Sequence, residues 1–130
     1  MCVFCEIIKG NIPSKKIYED NDVLAILDIS QATVGHTLVL PKNHYENLYD
    51  IDEEVLAKIV KTAKKIAKHY KEVDSSIEGI NLLNNNEETA GQSVMHYHMH
   101  VLPRRKNDDL QIKFQEHQLD LDNLQKKYQL

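Results

Sequence analysis

The sequence predicts an α+β domain in which an antiparallel sheet carries one main helix. Three observations lead there. Two strand-length apolar runs come first, a single long stretch of helical periodicity follows, and two further strand-like runs come after it. The chain has 130 residues, enough for one domain and too few for two comfortable cores. Glycine and proline number only 4 and 3, so no long flexible linker divides it. The domain is expected to span residues 1–130, with a core over 1–105 and a polar tail over 106–130 that is helical in part.

The elements follow in order. Cys2-Val3-Phe4-Cys5-Glu6-Ile7-Ile8 reads as a short turn or helix that stops at Gly10-Asn11, with Pro13 beyond. Val23 to Ile29 is almost continuously apolar, the pattern of a strand covered on both faces. His36 to Leu40 is a second strand, ended by Pro41, which cannot donate to a ladder. From about Asp52 to Val73, residues Val55, Leu56, Ile59, Val60, Ala63, Ile66, Ala67 and Tyr70 recur at helical spacing. Asp50 and Glu53 have the spacing of a capping box, and Asp52 is a rival N-cap. Acids open this helix and lysines close it, as its dipole favours. Lys58, Lys61, Lys64, Lys65, Lys68 and Lys71 invite a phosphate-binding reading, but a solvated helix face is the commoner origin of such a pattern. Gly79 to Leu83 is a strand, Asn84 to Gly91 a polar connection, and about Val94 to Leu102 a strand closed by Pro103. Leu119, Leu121, Leu124 and Tyr128 suggest a short terminal helix that docks weakly.

Composition excludes several classes. The net charge of −4 argues against broad electrostatic binding to nucleic acid. No apolar run approaches the roughly 20 residues that span a bilayer. No basic-then-apolar leader opens the chain, so no signal peptide is expected. The 2 cysteines are too few and too close for a secreted disulfide framework, and a cytoplasmic location is the expectation.

The chemistry concentrates in His96-Tyr97-His98-Met99-His100-Val101-Leu102. In an extended chain alternate side chains share a face, so the three histidines line one side, successive ones roughly 6.6 Å apart. Tyr97, Met99 and Val101 point to the other side and can cover a core. Three imidazoles suit metal binding or acid–base work better than a plain wet face. A His-x-His pair can ligate zinc. A neutral imidazole can equally attack phosphorus and form a covalent intermediate. The preceding Gly91-Gln92-Ser93-Val94 favours the second reading: glycine lets backbone approach a ligand, the serine offers a hydroxyl, and loop amides can cradle phosphate oxygens. Cys2-x-x-Cys5 by itself stays open between free thiols, a redox pair and half of a zinc site, although no βαβ pattern supports the redox reading.

The triad, with Asn85 and Ala90-Gly91-Gln92-Ser93-Val94 before it and His36-Thr37-Leu38-Val39-Leu40-Pro41-Lys42 further upstream, resembles the histidine triad (HIT) superfamily in its Hint-like, bacterial branch. The resemblance covers residues 2 to about 105; the remaining residues match no motif. It implies the HIT fold, with a half-barrel-like antiparallel sheet, one long helix and short terminal helices, and a two-fold homodimer. It implies that His98 is the nucleophile, attacking the α-phosphorus of an AMP-type nucleotide to form a nucleotidyl-histidine that water hydrolyses. His100 and Ser93 would serve the phosphate and the leaving group, and His36 would lie behind the nucleophile. Asp28 and Ile29 would hold ribose and base, and Asn85, Gly91 and Gln92 would complete the nucleotide site. A structural zinc site of Cys2, Cys5, His44 and His96 is also implied, and no organic cofactor. The expected activity is that of a purine nucleoside phosphoramidase or nucleotidyl hydrolase. A nucleotide-binding interaction protein with little turnover and a dinucleoside polyphosphate hydrolase are the alternatives. His69 and His117 carry no motif, and Lys42, Arg104 and Arg105 read as solvated loop charges.

Overall fold

The structure is a computed structural model that describes residues 1–130. Its elements are α1 (Val3–Ile8), β1 (Lys16–Glu19), β2 (Val23–Leu27), β3 (Thr37–Pro41), α2 (Glu53–Val73), β4 (Gly79–Leu83), β5 (Met99–Arg104) and α3 (Leu121–Tyr128). The strands form one antiparallel sheet in the order β1-β2-β3-β5-β4. The expected α+β architecture holds. No helix is long and apolar enough to cross a membrane.

The sheet is covered on both faces, which explains the continuous apolar runs of β2 and β3. On one face Val23, Ala25, Val39, Tyr97 and Val101 pack against Ile59, Ala63 and Ile66 of α2. On the other, Leu24, Ile26, Leu38 and Leu40 pack against Phe4 of α1. Neighbouring residues on one strand point to opposite faces, so each strand feeds both cores. The lysines of α2 are all exposed, as a solvated face requires.

Several elements differ from the sequence reading. β1 is an edge strand whose charged ends and bulge between Lys16 and Tyr18 hide it from pattern analysis. The strand expected from Val94 begins only at Met99, because residues 94–98 are bonded to loops. Tyr97 N–H donates to Tyr45 O, and Asn84 donates to His98 O. The same strand runs through Pro103 to Arg104. Pairing with β3 has already ended at Thr37↔Val101, so the ring costs no ladder bond on that side. Gly35 lies there instead, at φ +96°, and a Cβ on it would meet Pro103 Cγ at 3.1 Å.

The capping box also fails. Asp50 accepts from the backbone N–H groups of Glu46 and Asn47, closing the preceding turn. Asp52 takes the N-cap position by backbone alone, its carboxylate accepting from Tyr45 OH. α3 forms with Asp120 capping the N–H groups of Asp122 and Asn123, yet none of its residues is buried. Arg104 and Arg105 are not free loop charges. Arg104 pairs with Asp108 and donates to Asn81, and Arg105 pairs with Asp74 and donates to Val34 O.

Candidate active site and metal centre

The histidine triad lies on the α1 face of the sheet, with Tyr97 and Val101 buried on the other, so the alternation read from the sequence is preserved. His96 and His98 are buried, and His100 is half-buried at the rim. Each imidazole has a distinct set of partners, and these assign its tautomer.

His98 Nδ1 lies 2.8 Å from the His96 carbonyl oxygen. A carbonyl only accepts, so Nδ1 carries the proton and Nε2 keeps its lone pair. Burial lowers the pKa of His98, and the charge of His36 adds to this, against opposing effects from the carbonyl and Asp28. His36 Nδ1 accepts the Ala32 N–H at 3.1 Å, which leaves the proton on Nε2, 2.9 Å from His100 Nδ1. His100 therefore accepts at Nδ1 and holds its own proton on Nε2, ready to donate. Desolvation, with His98 and His36 adding to it, pushes the pKa of His100 down to about 4. His36 thus adjoins His100, and the acceptor behind His98 is the main-chain carbonyl of His96.

His98 and His100 line a cleft of about 420 Å³ together with Asp28, Ile29, Ser93, Val94 and the apolar side chains Phe4, Ile7, Ile12, Ile26 and Leu38. Ile29 is fully exposed at its mouth. The Asp28 carboxylate accepts the Ser30 N–H at 2.8 Å and stands 3.6 Å from His36 Nε2, with further lone pairs open to hydroxyl groups. Phe4 meets His98 edge-on with ring centres 5.1 Å apart. The apolar wall drawn from residues 4–14 escaped the sequence analysis. The only available signal was the apolar spacing of Phe4, Ile7 and Ile8 beside the cysteines.

Three residues expected at the nucleotide site, Asn85, Gly91 and Gln92, do not line the cleft. Gln92 is buried, and its side chain donates to Glu46 O and Val94 O and accepts from Glu87 N–H. Its own N–H donates to Glu87 O, so its donors are spent holding the loop. Asn85 Nδ2 faces Gly91 O at 3.4 Å, beneath the loop and outside the cleft lining. Gly91 ends the short Glu88–Ala90 turn at φ +96°, a left-handed conformation that explains the glycine without a ligand. Of this loop motif only Ser93 and Val94 reach the cleft, and Ser93 alone brings a hydroxyl to it.

Cys2, Cys5, His44 and His96 converge at the base of α1. Their ligand atoms lie within 4.8 Å of one another. His96 Nε2 donates to Pro41 O at 2.9 Å, leaving the lone pair of Nδ1 turned to the cluster. From that Nδ1 the distances are 3.4 Å to Cys2 Sγ, 3.6 Å to Cys5 Sγ and 3.1 Å to His44 Nδ1. A tetrahedral zinc with ordinary bond lengths separates sulfur from nitrogen by roughly 3.6 Å and nitrogen from nitrogen by roughly 3.3 Å. The donor set fits that ion in both chemistry and spacing. His69 and His117 stand exposed on the surface and join neither site.

Comparison with known proteins points to one family. The family model of the HIT domain matches residues 9–107. The chain is 54% identical over 108 residues to Protein hit of Bacillus subtilis, covering 83% of this chain and 74% of that one. It is 38% identical over 126 residues to the adenosine 5'-monophosphoramidase HNT1 of Saccharomyces cerevisiae, covering 96% and 77%. Among solved structures, SMU.412c of Streptococcus mutans UA159 superposes with a TM-score of 0.90 at 47% identity, over 97% of this chain and 80% of that one. A Zn-bound histidine triad family protein from Mycobacterium smegmatis gives 0.81 at 40% identity, over 89% and 84%.

Proposed function

This chain belongs to the HIT domain family, and on that premise we propose that it is a nucleotide hydrolase acting at an α-phosphate through His98. The observation that carries the reading is the 2.8 Å bond from His98 Nδ1 to the His96 carbonyl, which reserves the Nε2 lone pair in a cleft large enough for a nucleotide.

The chemistry follows from the tautomers. His98 Nε2 attacks the α-phosphorus in line; the new P–N bond forms as the bond to the leaving group breaks. His100 Nε2–H donates to a phosphoryl oxygen, and Ser93 hydrogen-bonds the phosphate or the leaving atom. Such donors matter because negative charge builds on those oxygens in the transition state, and one well-aimed donor is worth about 3 kcal/mol of barrier. The leaving amine takes up a proton and departs as ammonia; water then attacks the same phosphorus and gives a proton back, the P–N bond to His98 breaks, and His98 returns neutral. Asp28 accepts from ribose hydroxyls, and Ile29 with the apolar wall takes the base. We read the substrate as an AMP-type nucleotide, adenosine 5'-phosphoramidate above all, a choice supported by the yeast relative's activity.

Zinc belongs to the proposal as a structural ion on Cys2, Cys5, His44 and His96. It closes a four-ligand site and would supply no water to the reaction. A homodimer is part of the same reading: β4 ends the sheet, and Leu82 and Leu83 stand exposed on it.

The test is hydrolysis of adenosine 5'-phosphoramidate by the wild type and by His98→Ala, with mass spectrometry of a slow-substrate trap. Turnover confined to the wild type and an adenylyl adduct on His98 support the reading. Equal slow rates in both proteins, with AMP still bound, identify a nucleotide-binding protein instead.

A further inference from the structure

Residues 1–14 are attached to the domain by very few polar links. Their backbone hydrogen bonds, such as Lys9 N–H to Cys5 O and Asn11 N–H to Glu6 O, close within the segment. Their side-chain bonds do the same, with Glu6 holding Asn11 and Lys9. The exceptions are the thiols of Cys2 and Cys5 on the imidazoles of His44 and His96. Apolar packing of Phe4 and its neighbours on Leu24, Ile26, Leu38 and Leu40 does the rest. Yet this segment supplies Phe4, Ile7, Ile12, Pro13 and Ser14, a third of the 15 residues that line the cleft.

Phe4 sits between the two cysteines on a six-residue helix. Its ring centre is 5.9 Å from that of the metal-site residue His96 and 5.1 Å from that of His98. A helix of this length does not persist without tertiary support. Ligation of Cys2 and Cys5 fixes both ends of the turn that carries Phe4. When the ligands are released, the wall keeps its apolar contacts and loses its polar tether, and a nucleotide must then order it on binding.

We propose that metal and nucleotide bind this chain cooperatively, with Phe4 as the positioning residue that couples the Cys2/Cys5/His44/His96 cluster to the cleft. The inference rests on the nucleotide reading above and adds to it a linkage between two distinct sites. Coupling in binding is reciprocal: zinc tightens AMP by the factor by which AMP tightens zinc.

The experiment measures AMP affinity calorimetrically on zinc-loaded and chelated protein, and zinc affinity by chelator competition with and without saturating AMP. Expected is about a tenfold gain in each direction, within the usual span of such couplings. Phe4→Ala is expected to weaken AMP in the zinc-loaded state and abolish the linkage, and Phe4→Leu to restore part of both. Where the chelated chain does not stay folded, zinc affinity measured on the loaded protein still reports the coupling. Zinc affinity unchanged by AMP, to within twofold, overturns the inference while leaving the hydrolase reading intact if His98→Ala remains inactive. A chain that binds no zinc overturns it as well. Failure of AMP to bind the zinc-loaded protein overturns both readings.

Discussion

His36 Nε2 and His100 Nδ1 meet at 2.9 Å across the β3–β5 side of the site. The Ala32 N–H behind His36 orients the pair, so that the hydrogen bonds run from main chain to His36 to His100 and end on an outward-facing N–H. This order exists only while both rings are neutral. A proton added to His100 Nδ1 would set two N–H groups against each other.

That arrangement predicts a pH dependence. Burial lowers the pKa of His36 and holds His100 at about 4, against an ordinary histidine value of roughly 6.5. Below 6.5 the unfolded chain takes up protons that the folded chain refuses, so stability falls with falling pH across that window and is complete above it. Turnover is expected to hold level through pH 6.5 and decline as the medium approaches pH 4. A rate profile together with melting temperatures checks both; a rate halved near 6.5 contradicts the burial of the pair.

On the proposed mechanism, removal of the His98 imidazole should cost far more than removal of the Ser93 hydroxyl. His98→Ala is expected to lower kcat on the order of a thousandfold or more, and Ser93→Ala by on the order of a hundredfold. Single-turnover kinetics separates the two, because only the first abolishes the adduct.

Metal loading is expected to follow the thiols. Cys5→Ser replaces a soft ligand by a poor one and should leave purified protein with well under one zinc per chain. Metal analysis with thermal unfolding reads the loss of ion and of stability together.

Gln92→Ala tests whether that side chain serves the loop. It strands the Glu87 N–H and two carbonyl oxygens, at a cost of about 1–3 kcal/mol. Denaturant unfolding should show the loss, with AMP affinity falling through loop disorder. A fully stable variant with weakened AMP binding would identify Gln92 as a nucleotide contact.

Gly35→Ala combines a left-handed φ with a methyl group 3.1 Å from Pro103 Cγ, an expected destabilisation of about 1–3 kcal/mol. Because the strain falls beside His36, the pH profile of activity should shift with the melting temperature.

The sequence alone determined the features that depend on local periodicity and on residue chemistry. The long helix was legible because Ile59, Ala63 and Ile66 repeat at the spacing that buries one face. The strands β2 and β3 were legible because burial on both faces demands an unbroken apolar run. The division of His96, His98 and His100 from Tyr97 and Val101 follows from the two-residue period of extended chain. Tertiary structure decided the rest, because those features depend on which distant groups meet. Edge strand β1 buries too little to show a pattern, and Asp50 found closer backbone partners than the helix start. Gln92 was drawn into its own loop by Glu46 and Glu87, while Phe4, far away in sequence, became a wall of the cleft. The proton on each imidazole is set by its partner: His96 O and Ala32 N–H lie two and four residues from the rings of His98 and His36, whereas Pro41 O meets His96, and His36 meets His100, across more than fifty residues of chain, and no spacing of side chains encodes such distant meetings.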